Sequence, residues 1–398
     1  IEEGLSKNFQ YIVTPNAREV ASGLVDGYRT GIHSFTIIGS YGTGKSSFLL
    51  ALEKDLQSKG SCSLLNPQTL SANSKFEVLK IVGDYKDLVS LMRDKLSVDG
   101  TADNVLDRLR EIYNRAKKQG KFLVIFIDEF GKVLEHAAKN NPEQELYFMQ
   151  KLAEFVNVST RQILLVTTLH QNFSAYARKL SALQKEEWAK VKGRFKELVF
   201  IEPVEQLLYL ASTQLNAKND VGVNVESMEK LCHLAKTTKF VSDSFTSTTA
   251  YALYPLEPFS AYAITQAIQR YGQNERSLFS FLNAKGANSL SEYKNGFYGI
   301  ANCYDYILQN FYSYLKDANA DSMQWSSMQV ALERVEGQAW ETKNELLGAI
   351  KIVKTIGLLN LLGNFSFKMT REQTANYVSM ALGVEDALHI LNLLEQYK

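Results

Sequence analysis

Eight consecutive residues, Gly39-Ser40-Tyr41-Gly42-Thr43-Gly44-Lys45-Ser46, set three glycines beside one ammonium and one hydroxyl. Glycines at 39, 42 and 44 allow a tight turn whose backbone N–H groups point inward, the arrangement that cradles an oxyanion. A helix opening at Lys45, with Ser47 in its first turn, adds the positive end of its dipole. The pattern is that of a phosphate-binding loop, G-x-x-x-x-G-K-[ST]. In such a loop residues 39–47 wrap the phosphates of ATP. Lys45 sits against the β- and γ-phosphates, and the Ser46 hydroxyl joins the Mg²⁺ shell.

A second cluster complements the first. The run Phe122-Leu123-Val124-Ile125-Phe126-Ile127 ends in Asp128 and Glu129. An apolar strand closing on two carboxylates places Asp128 near the metal, while Glu129 stands beside the γ-phosphate and polarises an attacking water.

The elements that must position these groups are legible in the hydrophobic pattern. Continuous apolar runs at 35–39, 76–82, 122–128, 163–169 and 198–201 predict strands covered on both faces. Between them Phe48, Leu49, Leu52 and Leu56, and then Val105, Leu106, Leu109 and Ile112, recur at helical spacing. Residues 1–203 are therefore expected to form an α/β domain with a doubly wound parallel five-stranded sheet. After Pro203 the patterns at 207–215, 225–235, 259–270 and 276–281 are helical. Tyr254-Pro255-Leu256-Glu257-Pro258 reads as a boundary, since proline disfavours helix at the residue before it. The stretch 295–315 is rich in Tyr and Phe and reads as packed helix. Helices are expected at 341–362, 370–382 and 384–397, an arrangement resembling the helical part of a winged helix.

Composition narrows the function classes. The 398 residues carry 44 Lys plus Arg against 43 Asp plus Glu, so no global field draws the chain to nucleic acid or membrane. Twenty Tyr and 21 Phe exclude a largely disordered chain. Three separated cysteines show no metal-ligand spacing and point to a reducing cytoplasm. No run of about 18 uncharged apolar residues is present, so no membrane span is expected. The chain begins at Ile1 without a Met, which suggests a piece of a longer protein.

Taken together, the loop, the acidic strand and the additional strand near Phe76 make the chain resemble an AAA+ P-loop ATPase, closest to the origin-recognition and STAND-like branches. The resemblance implies further roles. At the end of Leu164-Leu165-Val166-Thr167-Thr168, Thr168 would be the sensor 1 residue, with His170 second. Val191-Lys192-Gly193-Arg194-Phe195 resembles the segment that carries an arginine finger, so Arg194 would act across a subunit interface. Otherwise it is one exposed cation among Lys185, Lys190, Lys192 and Lys196. Tyr271-Gly272-Gln273-Asn274-Glu275-Arg276 resembles a sensor 2 motif with Arg276 as its arginine, and Ile12 and Val13 would contact adenine. Residues 204–290 would then be the lid and 291–398 a helical, winged-helix-like module. Residues 33–46, 254–256 and 273–277 also resemble the large ATPase subunits of bacterial antiphage systems, RADAR-like or BREX-like.

What the resemblance implies is a self-assembling ATPase that remodels or activates a protein partner, plausibly in antiviral defence. A nucleotide-gated scaffold with slow hydrolysis and a DNA-loading or translocating ATPase are the alternatives. Charge weighs against the last. Residues 341–398 hold six cations (Lys343, Lys351, Lys354, Lys368, Arg371, Lys398) against six anions (Glu341, Glu345, Glu372, Glu385, Asp386, Glu395), and 384–397 has no Lys or Arg.

Overall fold

The computed structural model describes residues 11–40, 42–58, 62–72, 75–140, 142–178, 180–215, 224–272, 278–286, 288–293, 296–316 and 320–396. The chain divides into two compact units, Ile1–Ile201 and Glu202–Lys398.

In the first unit each apolar run becomes a strand. These are β1 (Ser34–Ile38), β2 (Phe76–Val82), β3 (Phe122–Asp128), β4 (Ile163–Leu169) and β5 (Lys196–Val199), in the spatial order β2-β3-β4-β1-β5. All pairings are parallel, so every strand delivers its C-terminal end to the same edge. β3 and β4 are buried along their whole length, as residues flanked by strands and covered on both faces must be.

Successive side chains divide between two cores. Phe122, Val124 and Phe126 join Phe35, Ile37, Leu164 and Val166 beneath Phe48, Leu49 and Leu52 of the helix Lys45–Ser58. Leu123, Ile125 and Ile127 join Ile163 and Leu165 on the opposite face. The strand period of two then assigns Asp128 and Thr168, even-numbered like Phe126 and Val166, to the face covered by the helix Lys45–Ser58.

Two boundaries differ from those the sequence suggests. β5 starts two residues before the apolar run, because its place is set by pairing with β1, Lys196 opposite Phe35 and Val199 opposite Ile38. Val199 and Ile201 are more than half exposed, and Phe200 turns in to pack on Phe48 at 5.2 Å. Gly39 falls outside β1, for reasons of close approach given below.

Among its described residues, the named elements of the second unit are all helices. The division expected at 290/291 does not appear as a break in the core, since residues from Val204 to Leu391 share one apolar cluster. The segment 254–258 is likewise a buried turn between the helices Ser247–Ala252 and Pro258–Tyr271 rather than a domain boundary. There Glu257, with no exposed surface, accepts from the N–H groups of Phe259 and Ser260 at 2.8 and 2.7 Å and from the Tyr377 hydroxyl at 2.8 Å. The three C-terminal helices form as Lys343–Leu362, Arg371–Leu382 and Ala387–Gln396, with no strand beside them among the described residues. No helix is long and apolar enough to cross a membrane among the described residues.

Asn157 ties the start of the sheet together. Its Oδ1 accepts from the N–H groups of His33 and Ser34, and its Nδ2 donates to Ser34 Oγ and to the carbonyl of Arg194. Replacing Asn157 by Ala strands these groups at a half-buried site. The expected cost is about 2 kcal/mol, read as a lower denaturant midpoint of the first unit's transition.

Candidate nucleotide site

The phosphate-binding loop leaves the end of β1 at the C-terminal edge of the sheet. The Gly39 N–H donates to the Leu169 carbonyl at 3.0 Å, and Phe200 N–H donates to the Ile38 carbonyl at 2.6 Å, so both neighbouring strands grip the loop's origin. A Cβ on Gly39 would lie 2.1 Å from the Phe200 carbonyl oxygen, which explains why glycine stands there. Gly42 and Gly44 have φ of 73° and 94°, the left-handed region that side chains disfavour. Thr43 Oγ1 donates to the Ser40 carbonyl at 2.9 Å and closes the turn. Tyr41 lies outside the described residues. Ser46 and Ser47 occupy the first turn of the helix Lys45–Ser58, Ser46 half-buried and Ser47 exposed.

Lys45 folds back over this turn and donates to the carbonyls of Gly39 and Ser40 at 2.5 and 2.8 Å. Burial pulls its ammonium down to about 8, against the opposing pull of the Glu129 and Asp128 carboxylates. Lys45 is thus a partly desolvated cation within the field of both acids, although 83 positions separate Asp128 from it in sequence.

The acids are held by one hydroxyl. Thr168 Oγ1 donates to Asp128 Oδ1 at 2.6 Å and accepts from the Glu129 N–H at 3.0 Å. Glu129 has a φ of 54°, a left-handed conformation that costs a non-glycine residue roughly 1 kcal/mol. Gly83, just after β2, makes room for that turn. Its N–H donates to the Asp128 carbonyl at 2.7 Å, and a Cβ there would come within 2.4 Å of the Glu129 carbonyl oxygen. Gly83 escaped the sequence reading; its signal is a glycine directly after a strand. Lys132 approaches Glu129 from one helical turn away, with Nζ 3.7 Å from Oε2.

Thr168, expected as sensor 1, is 1% exposed, and its hydroxyl bonds Asp128 and the Glu129 amide. His170, one residue past β4, is more exposed. Burial and then the Lys45 charge hold its imidazole down to about 4.

Arg194 does not join the site of its own chain. Its carbonyl accepts from Ser34 Oγ at 2.6 Å, which places it at the opposite end of β1 from the loop, about 13 Å away at 3.3 Å per residue. Its guanidinium bonds Glu154 at 2.8 Å and the Lys190 carbonyl at 3.0 Å. Of the residues expected on adenine, Ile12 is 45% exposed while Val13 packs against the apolar core under the loop helix. Arg276 lies outside the described residues.

The donor set fits Mg²⁺. A serine hydroxyl and a buried carboxylate are hard oxygen donors, and Mg²⁺ is ordinarily held by one or two such groups together with substrate phosphates and water. When bound, Mg²⁺ would be held by Ser46 and Asp128, and would neutralise charge developing on the phosphates.

Residues 35–190 match the family model described as "ATPase family associated with various cellular activities (AAA)". No curated protein matches the chain. Among solved structures, the Aeropyrum pernix ORC2 protein (ADPNP-ADP complexes) is similar at 12% identity and a TM-score of 0.38, over 98% of this chain and 96% of that one. C. elegans PCH-2 is similar at 15% identity and 0.37, over 76% and 70%. Drosophila ORC bound to DNA is similar at 11% and 0.36, over 98% and 82%. At these values the structural likenesses carry no weight. The family match, the loop and the strand order support an AAA+ P-loop ATPase domain, and the fold is an α/β domain of that kind followed by a helical module.

Two outcomes are expected. Because Lys45 titrates near 8 before nucleotide binds, affinity for a fluorescent ATP analogue should fall as pH rises from 7 through 9, measured by anisotropy. Thr168→Val should lower turnover roughly a hundredfold by freeing both acids, while changing nucleotide affinity by only a few-fold. Steady-state and binding assays separate the two effects.

Proposed function

We propose that the protein is an ATP-hydrolysing AAA+ machine whose copies assemble so that Arg194 of one completes the site of the next. The observation that supports the reading is that the loop and the acidic strand both hang from the end of β4, where the Leu169 carbonyl takes the Gly39 N–H and the Thr168 hydroxyl donates to Asp128. Backbone N–H groups of residues 39–46 and Lys45 hold the triphosphate. Glu129 orients and deprotonates water, and Thr168 keeps Glu129 and Asp128 in register.

Arg194 has no reach to its own loop, so its role as a charge-stabilising finger requires a neighbouring copy. Arg276 takes the sensor 2 role in the second unit, and Ile12 and Val13 contact the base. The energy released remodels or activates a protein partner. The resemblance of residues 33–46, 254–256 and 273–277 to antiphage ATPases supports a role in antiviral defence, and the three separated cysteines support the cytoplasm as its compartment.

One observation favours a second reading, a nucleotide-gated scaffold that hydrolyses slowly. Lys132 stands 3.7 Å from Glu129 and competes for the carboxylate that must orient water. The two readings part on turnover as a function of protein concentration, and on the mass of wild type and Glu129→Gln with and without ATP. Removing the base is expected to lower turnover by a factor of 10² to 10⁴, to trap ATP and to stabilise the larger assembly. A mass distribution indifferent to ATP in both proteins would sink the assembly-coupled mechanism. Tight ATP binding with no multiple turnover at any concentration would leave the scaffold.

A further inference from the structure

A cleft of about 690 Å³ opens among the helices Leu88–Leu96, Phe130–Lys139 and Pro142–Val156 of the first unit. None of its lining residues belongs to the nucleotide site, and its volume suits a ligand pocket. Glu145 lines it and is only 5% exposed, so a carboxylate has been taken almost wholly out of bulk water. Such a group ordinarily finds a cation or several N–H donors. Glu145 finds one donor. The Leu88 N–H donates to its Oε2 at 3.2 Å, and Oε1 has no partner among the described residues. Burial pushes the carboxyl up to about 7 against the pull of the Leu88 bond, and the Asp87 charge raises it further. His136, also lining the cleft, buries an Nδ1 that has no partner among the described residues. When that nitrogen carries no proton it is a further acceptor.

Charge around the opening selects the sign of the occupant. Asp87, Glu143 and Glu145 line it, and Arg93 is the one Lys or Arg beside them. Arg93 is already committed to Ser90 Oγ at 2.9 Å and to the Gly100 carbonyl at 3.2 Å. Asp87 is committed too, since its carboxylate caps the helix Leu88–Leu96 through the Ser90 N–H at 2.7 Å. Glu145 is left as the buried acceptor still to be satisfied, and a cation is what it lacks. No group of three or more His, Cys, Asp or Glu among the described residues is arranged to hold a metal ion, which points to an organic cation. A guanidinium offers a carboxylate two parallel N–H donors and is more weakly hydrated than an ammonium, so it enters a half-dry cleft at lower cost.

The rim points to a polypeptide as the bearer. Tyr147 lines the cleft and is 58% exposed, while Tyr85, whose ring stands nearly perpendicular to that of His136 at 5.3 Å, is 45% exposed. Tyrosines are enriched where protein surfaces meet, because one ring covers much apolar area and keeps a polar tip. Both rings are steadied by an ammonium 5.4 Å from the ring centre, Lys151 on Tyr147 and Lys139 on Tyr85.

We propose that this cleft takes an arginine side chain presented by a protein partner, with the Glu145 carboxylate as its recognition group. The inference deepens the partner-directed reading above by naming what the partner carries. Docking needs neither ATP nor turnover, so its failure and the failure of that reading are separable.

The test titrates the full chain with the peptide Ala-Ala-Arg-Ala-Ala, with its citrulline counterpart and with agmatine. Occupancy is read from the Tyr147 ring resonance of tyrosine-labelled protein, assigned by Tyr147→Phe. The arginine peptide should shift that resonance saturably. The citrulline peptide keeps the shape and loses the charge, and should bind roughly tenfold more weakly. Glu145→Gln keeps an acceptor for the Leu88 N–H, and should weaken the arginine peptide roughly tenfold while leaving affinity for an ATP analogue unchanged. At pH 7, calorimetry in two buffers of different ionisation enthalpy should show proton release when the peptide binds wild type and none with Glu145→Gln, because a cation beside the carboxylate lowers its pKa. Should circular dichroism show Glu145→Gln unfolded, Glu143→Gln at the exposed rim carries the test with roughly a threefold loss. Equal binding of the arginine and citrulline peptides, equal binding by wild type and the folded variant, or an unmoved Tyr147 resonance overturns the proposal. Agmatine binding as tightly as the peptide overturns the protein partner and assigns the cleft to a free small cation. In each case ATP binding and hydrolysis by wild type stand as measured.

Discussion

The hydroxyl of Thr168 bridges two groups that must not drift apart. It donates to Asp128 and accepts from the amide of Glu129, and it does so in a buried environment where water cannot substitute. Glu129 holds a left-handed backbone conformation that its side chain disfavours. Such strain persists only where the surroundings over-determine it. Here Thr168 supplies a hydrogen bond from one side, and Gly83 allows close approach from the other. The backbone turn at Glu129 is therefore a property of three strands, since the clamp is drawn from β2, β3 and β4 together.

The phosphate-binding loop obeys the same logic on the neighbouring strands. Its glycines permit the turn, but its origin is set by hydrogen bonds from Gly39 to β4 and from Phe200 to β1. The Phe200 carbonyl leaves no volume for a side chain at position 39. Lys45 is then half desolvated and turned back onto two loop carbonyls. An ammonium in that state has its own hydrogen bonds satisfied and still lies in the field of two carboxylates, so incoming phosphates exchange one set of oxygen acceptors for another at modest cost.

Much of the first unit is legible in the chain alone. The apolar runs at 76–82, 122–128 and 163–169 coincide with β2, β3 and β4, because strands buried on both faces have no polar positions to blur their limits. The edge strand β5 was less legible. Its register depends on Phe35 and Ile38 of β1, and its apolar residues at 199 and 201 are exposed. In the second unit the helices are readable from their periodicity, whereas their sharing of one core is not. Glu257 shows the difficulty: a carboxylate between two prolines reads as a solvated turn, yet it is buried and bonded to a tyrosine 120 positions away.

The sequence by itself determined that a phosphate-binding turn and an acidic strand end are present, because both are local: glycine φ freedom, helix start and strand termination need no distant partner. Only the tertiary structure decided which partners Thr168 and His170 take. Both are polar residues at one strand end, and their types alone do not separate them. Strand alternation and sheet order aim the Thr168 hydroxyl at Asp128, while the missing Cβ at Gly131 lets His170 meet Tyr176. The same holds for Arg194, whose distance from its own loop follows from parallel pairing of β1 with β5. Local chemistry is written in neighbouring residues; its aim is set by contacts between residues far apart in the chain.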